Sequence, residues 1–152
     1  MTTFSLETIE PQSAAGIRAE VPMAELGAVF DRAYPAVMRA VDTQGAAITG
    51  PPFGFYPRMP SDTVEVVAGI PVGAPITADG EVEPFTLPGG RAVIATHVGP
   101  YEDLDRTYAE LLAWASAEGL TLAEGMWESY LSDPGAEPDP STWRTLIVWP
   151  LA

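Results

Sequence analysis

The sequence has 152 residues, no cysteine, one histidine, and 21 acidic against 7 basic residues, a formal net charge of -14. That length fits one compact domain able to bury about 68% of its unfolded surface without disulfide or metal staples. The composition excludes thiolate metal sites, iron–sulfur ligation and thiol nucleophiles; with every basic residue an arginine it also excludes lysine nucleophiles, and so acidic a surface is a poor direct partner for nucleic acid, whose phosphates need a basic patch.

At the start, MTTFSLETIE has neither a basic n-region nor an apolar h-region, and no apolar run approaches the ~20 residues of a membrane span, so a cytoplasmic protein without membrane contact is expected. Leu6 to Val21 reads as a broken strand. From Met23 to Gln44, Leu26, Val29, Phe30, Ala33, Val37 and Val41 recur at three- and four-residue steps, which predicts an amphipathic helix. Pro22 stands at its entrance and Gly45 at its stop, while Pro35 should kink or divide it by removing a backbone hydrogen bond. Ala46 to Tyr56 then reads as a strand, and Val64 to Ile70 as another. After the Pro88-Gly89-Gly90 turn, the β-branched run Arg91 to Val98 is a further strand. A second helix is predicted from Pro100 to Glu118, with Leu104, Tyr108, Leu111, Leu112 and Ala115 on its inner face and Gly119 as stop. Two strands close the chain, Gly125 to Ser132 and Trp143 to Leu151, joined by the acidic, proline-punctuated loop from Asp133 to Pro140.

Strand, helix, strand, strand therefore occurs twice. Superposing the halves pairs Val21-Pro22 with Gly99-Pro100, Leu26 with Leu104, Phe30 with Tyr108 and Val37 with Ala115 at one constant offset of about half the chain. The expected fold is α+β: pseudo-duplicated β-α-β-β units in an antiparallel sheet, two long helices on one side, and a ligand cleft between the halves of a single domain spanning 1–152.

Few residues can carry chemistry. One histidine and no carboxylate cluster at ligand spacing argue against a metal, and no phosphate loop, dinucleotide fingerprint or serine elbow points to a cofactor. His97 ends a strand just before Gly99-Pro100, where it is either bonded to nearby backbone or catalytic. The stretch Met126-Trp127-Glu128-Ser129-Tyr130 is more informative. Alternation on a strand puts Glu128 on one face with Met126 and Tyr130, and Trp127, Ser129 and Leu131 on the other. That face is either solvated, or it is a cavity floor, where a desolvated carboxylate awaits a cation and aromatic faces add cation–π attraction of about 0.5–2 kcal/mol each. Phe55, Tyr56, Tyr101, Tyr108 and Trp149 are candidate walls, Phe53 and Phe55 sharing one strand face and Tyr56 the other; core packing is the competing role for each.

Taken together these residues resemble the GyrI-like small-molecule-binding domains of the SOUL/GyrI superfamily. The resemblance runs through Gly50-Pro51-Pro52-Phe53-Gly54-Phe55-Tyr56, Leu87-Pro88-Gly89-Gly90-Arg91-Ala92-Val93 and Thr96-His97-Val98-Gly99-Pro100-Tyr101. It continues in Tyr108-Ala109-Glu110-Leu111-Leu112-Ala113-Trp114, in Trp127-Glu128-Ser129-Tyr130 with Asp133-Pro134, and in Thr145-Leu146-Ile147-Val148-Trp149-Pro150-Leu151. It implies a duplicated fold around a hydrophobic, aromatic-lined cleft, in which Glu128 pairs with lipophilic cations beside Tyr130, and Phe55, Tyr56 and Trp149 line the walls. Many such domains are effector modules of MerR- or AraC-type regulators; here only about 20 residues precede the first helix, so a stand-alone domain without a DNA-binding module is expected. The resemblance implies three functions: sensing or sequestration of hydrophobic, often cationic compounds; hydrolysis of cyclopropanoid DNA-alkylating natural products with Glu128 as base and Tyr130 or Tyr101 as donor; and a DNA gyrase interaction that would use the acidic surface.

Overall fold

The computed structural model describes residues 3–132 and 136–152; Asp133, Pro134 and Gly135 of the expected acidic loop lie outside them. The chain forms β1 (Thr3–Ile9), β2 (Gln12–Val21), α1 (Leu26–Thr43), β3 (Phe53–Tyr56), β4 (Val64–Pro71), β5 (Glu83–Leu87), β6 (Gly90–Val98), α2 (Leu104–Ala117), β7 (Met126–Tyr130) and β8 (Arg144–Pro150). All strand pairs are antiparallel, in one eight-stranded sheet of order β1-β6-β8-β7-β3-β4-β2-β5.

This order is symmetric about the β7–β3 pair, as the duplication predicts. Each half reads strand, strand, helix, strand, strand, and each gives its first strand to the other: β1 pairs with β6 of the second half, and β5 with β2 of the first. The strand β5 was not expected from the sequence. Its Pro84 cannot donate to a ladder, and it is tolerated because β5 stands at the sheet edge. Conversely, the strand expected over Ala46 to Tyr56 is confined to Phe53–Tyr56, with one bridge from Ile48 to Val72 before it, since Pro51 and Pro52 supply no donors.

Both helices start through a 3₁₀ turn and end as their glycines predict. Gly45 and Gly119 take φ of 68° and 70°, and the following amides reach back, Ala46 N–H to Val41 C=O at 3.1 Å and Leu120 N–H to Ala115 C=O at 2.9 Å. These left-handed closures satisfy the last carbonyls of each helix. Pro35 does not divide α1, which runs unbroken from Leu26 to Thr43; Pro35 is on the exposed side, where water can meet the freed carbonyl.

Register decides which face the helices cover. Residues directly opposite across antiparallel strands share a face, and one row crosses the sheet as Phe4, Ala95, Ile147, Glu128, Gly54, Ala68 and Ile17. Ile17 and Ala68 pack under Ala33, Val37 and Val41 of α1; Ala95 and Ile147 pack with Leu111 of α2. Both helices therefore lie on the face carrying Glu128, the sole carboxylate of an otherwise apolar row. The opposite face buries Phe53, Trp127 and Val148 without a helix. There the sheet curls on itself, bringing Phe85 of edge strand β5 to ring-centroid distances of 6.2 Å from Phe53 and 5.1 Å from Phe55.

Candidate functional site

Where the halves meet, the two helices diverge over β3 and β7 and leave a cleft of about 1130 Å³. Its floor is the centre of the sheet. The register Gly54↔Glu128 and Tyr56↔Met126 sets Glu128, Met126, Tyr56 and Tyr130 on the cleft side. Gly54, opposite Glu128, leaves room for its neighbours: a Cβ there would come within 3.1 Å of both the Phe30 ring and the Tyr130 hydroxyl, which would have to shift by a few tenths of an ångström. The pseudo-symmetric centre thus carries one carboxylate and one bare backbone position, not two facing carboxylates.

The walls follow from helix periodicity. Leu26, Phe30 and Tyr34 recur at four-residue steps along α1, and Leu104, Tyr108 and Leu112 do the same along α2, so each helix turns one stripe into the cleft. Trp149 closes one side from β8, and Met23, Met59, Tyr101 and Leu131 stand at the rim. All five tyrosines of the chain, Tyr34, Tyr56, Tyr101, Tyr108 and Tyr130, line this one cavity.

Glu128 is 7% exposed. The Tyr108 hydroxyl donates to its Oε2, and the Tyr130 hydroxyl donates to Oε1 at 2.9 Å. The Tyr56 hydroxyl lies 3.4 Å from that of Tyr130, and Tyr34 donates to the Phe53 carbonyl at 2.9 Å. Trp149 Nε1–H donates to Ala123 C=O at 2.7 Å, fixing the indole plane. None of the side-chain ion pairs among the described residues involves Glu128. Burial raises its pKa; the phenol bonds from Tyr108 and Tyr130 and the nearby His97 pull it down without cancelling that shift. Burial, then the Glu128 charge, pushes the Tyr108 and Tyr130 phenols upward, so both remain neutral donors.

Of the residues singled out in the sequence, Glu128, Tyr130, Tyr56, Tyr101, Tyr108, Met126 and Trp149 all line the cleft. Phe55 does not: it points to the opposite face and packs on Phe85 and Trp127, because strand alternation sends it away from its neighbour Tyr56. Leu131, expected on the far face, follows the end of β7 and reaches the rim. His97 is buried, with Nε2–H donating to Pro100 C=O at 3.0 Å and Nδ1 2.6 Å from Thr107 Oγ1; it ties the strand to the start of α2 and does not line the cleft. Sequence reasoning missed Phe30 and Tyr34 as wall residues, although their four-residue spacing on the inner stripe of the first helix was a usable signal.

A family model for the GyrI-like small molecule binding domain matches residues 2–152. Among solved structures, the EcmrR C-terminal domain superposes with a TM-score of 0.86 at 22% identity, over 100% of this chain and 98% of that one. In the EcmrR–DNA complex, the same fold covers 99% of this chain but 57% of the longer one, so the chain spans little more than half of that protein. SAV2435 bound to tetraphenylphosphonium matches with a TM-score of 0.69 at 11% identity over 99% and 94%. A hydrolase from Listeria innocua, lin2189, matches with a TM-score of 0.68 at 15% identity over 98% and 91%. No curated protein matches the sequence. At these identities the structural likeness establishes the fold.

Proposed function

The chain belongs to the GyrI-like small-molecule-binding family, and on that premise we propose that its cleft binds hydrophobic organic cations, with Glu128 as charge anchor and the aromatic walls as packing surface. One observation carries this reading: a buried carboxylate held only by neutral phenols, with no cationic side chain in ion-pair range among the described residues. Burying such a carboxylate without a cationic partner costs free energy, and an incoming cation returns it. Tyr108 and Tyr130 hold both oxygens in place before the ligand arrives, so little ordering remains to oppose binding. The faces of Phe30, Tyr34, Tyr56 and Trp149 add dispersion and cation–π attraction. SAV2435, of the same fold, is described with tetraphenylphosphonium bound, which makes that cation the natural probe. Titration should give saturable binding of tetraphenylphosphonium and at least tenfold weaker binding of the neutral triphenylphosphine oxide; equal affinities would overturn the reading.

A second reading, hydrolysis of a strained cyclopropanoid, is favoured by the place of Glu128 on the cleft floor with a phenol on each oxygen, where burial raises its pKa and with it its strength as a base. Glu128 would take the proton of an attacking water, the oxygen would bond to a ring carbon, and the ring C–C bond would break onto the conjugated acceptor, with Tyr130 or Tyr101 donating a hydrogen bond there. Incubation with a cyclopropanoid alkylator distinguishes the readings: ring-opened product in excess of protein supports hydrolysis, and a stoichiometric complex of intact ligand supports binding alone.

A further inference from the structure

The two halves of the cleft repeat one another with the chemistry changed. In the second half, Tyr108 of α2 reaches Glu128 of β7 and bonds it. At the same repeat offset the first half has Phe30 of α1. Phe30 sits over Gly54 of β3, the residue opposite Glu128, with its ring Cζ 3.1 Å from where a Gly54 Cβ would stand. One turn further along each helix, Leu112 in the second half is answered by Tyr34 in the first. Where the second half has a carboxylate, a phenol and an aliphatic side chain, the first has bare backbone and two aromatic rings. The Phe30 and Tyr34 rings are parallel, their planes 2° apart and their centroids 5.5 Å apart, whereas Tyr108 and Trp149 in the second half meet edge to face at 79°.

The parallel pair is fixed in place. The Tyr34 hydroxyl donates to Phe53 C=O at 2.9 Å, so that ring is tied to α1 at one end and to β3 at the other. The Phe30 ring is held between Tyr34 and an edge contact with Tyr130 at 71°. The charged groups of this half stand apart from the rings: Arg58 pairs with Glu20, and Asp31 is exposed. Phe30 also adjoins the anchor, because the Tyr130 hydroxyl that shares the space over Gly54 with it is 2.9 Å from Glu128 Oε1. Resting on the cation-binding reading of the same cleft, we propose that Phe30 and Tyr34 determine specificity by selecting lopsided cations, with the charged head in the α2 half against Glu128 and a flat aromatic body stacked on the parallel rings of the α1 half. Fixed parallel rings offer a flat ligand offset-stacked contact that a puckered ring of the same skeleton cannot match, and they lose little freedom on binding it.

Two cations of one carbon skeleton isolate the effect: (naphthalen-2-ylmethyl)trimethylammonium and its decahydro counterpart, in which the ring system is saturated. The saturated cation has the larger apolar surface, so a cleft without a preference for flat rings binds it at least as tightly. Calorimetric titration should show the naphthyl cation binding at least fivefold tighter, about 1 kcal/mol. Phe30→Leu and, separately, Tyr34→Leu should bring that ratio below twofold while leaving the saturated cation within threefold of its original affinity. Nuclear Overhauser contacts in the unsubstituted complex test the orientation directly: naphthyl protons should contact the Phe30 and Tyr34 rings, and N-methyl protons the Tyr108 and Tyr130 rings. With both cations bound and both weakened by Glu128→Gln, three results overturn this inference and leave the cation site standing: saturated binding that equals or exceeds naphthyl binding, a ratio that survives both leucine variants, or naphthyl protons on Tyr108 in place of Phe30. Binding of neither cation, or affinities insensitive to Glu128→Gln, overturns both.

Discussion

Replacing Glu128 with glutamine removes the charge at the cleft floor while keeping the side chain's shape. With a cationic centre about 5 Å from the carboxylate and an effective dielectric of about 20, the Coulomb attraction is about 3 kcal/mol. Some of that is offset by the cost of stripping water from the incoming cation. A loss of about 2–3 kcal/mol remains, or roughly 30- to 200-fold in the dissociation constant. The amide still accepts one phenol bond, and the other hydroxyl can turn toward Met126 Sδ, 3.9 Å from the Tyr108 oxygen, so the cleft keeps its form. Calorimetry or tryptophan fluorescence, with Trp149 in the wall as reporter, would measure tetraphenylphosphonium and triphenylphosphine oxide against both proteins. The neutral ligand should change by less than threefold. Equal losses for both ligands would mean that Glu128 shapes the cavity and does not read charge; an unchanged cation affinity would refute the anchor outright.

The same carboxylate sets three further expectations. Affinity for a monovalent cation should fall as pH decreases, with a midpoint above the ordinary glutamate value of about 4.3, because burial raises the Glu128 pKa; a flat profile between pH 4.5 and about 8 would contradict this, as would the absence of proton release on binding at the pH of that midpoint. Tyr108→Phe removes a bond that holds that pKa down, so the midpoint should move upward; no movement would mean that the phenol does not stabilise the ionised form. A raised pKa in the folded state is a stability contribution present at low pH and lost as pH rises through it, so Glu128→Gln should raise the melting temperature near pH 8 and confer little at pH 4, with a lower melting temperature at pH 8 as the refuting result. Away from the site, Leu111→Ala at a fully buried contact between α2 and the sheet should cost about 2–5 kcal/mol in denaturant unfolding; a loss below about 1 kcal/mol would contradict the packing described for α2.

Much of the fold was legible because its signals are local. The four-residue recurrence of Val29, Ala33, Val37 and Val41 specifies a helix with a buried stripe, and Gly45 and Gly119 specify where the helices stop. The strand β5 was not legible, since an edge strand need not alternate and Glu83-Pro84-Phe85 resembles a loop. Within the site, Met126, Glu128 and Tyr130 could be placed together because a strand repeats every two residues. The same rule separated Tyr56 from Phe55 but could not say which of them met Glu128; the β3–β7 register did, by setting Gly54 opposite Glu128.

The sequence by itself determined two helices, their stops, the duplicated order of elements and the company of Glu128 on its own strand, because each depends on spacing along the chain. Charge gave less: most of the net charge of -14 lies on the surface, and composition cannot say which carboxylate is buried. Tertiary structure decided that. Only when two halves pair strand to strand, and two helices close over one face of the sheet, do five tyrosines scattered from Tyr34 to Tyr130 converge on one carboxylate. Burial, which raises the Glu128 pKa, is a property of neighbours distant in sequence.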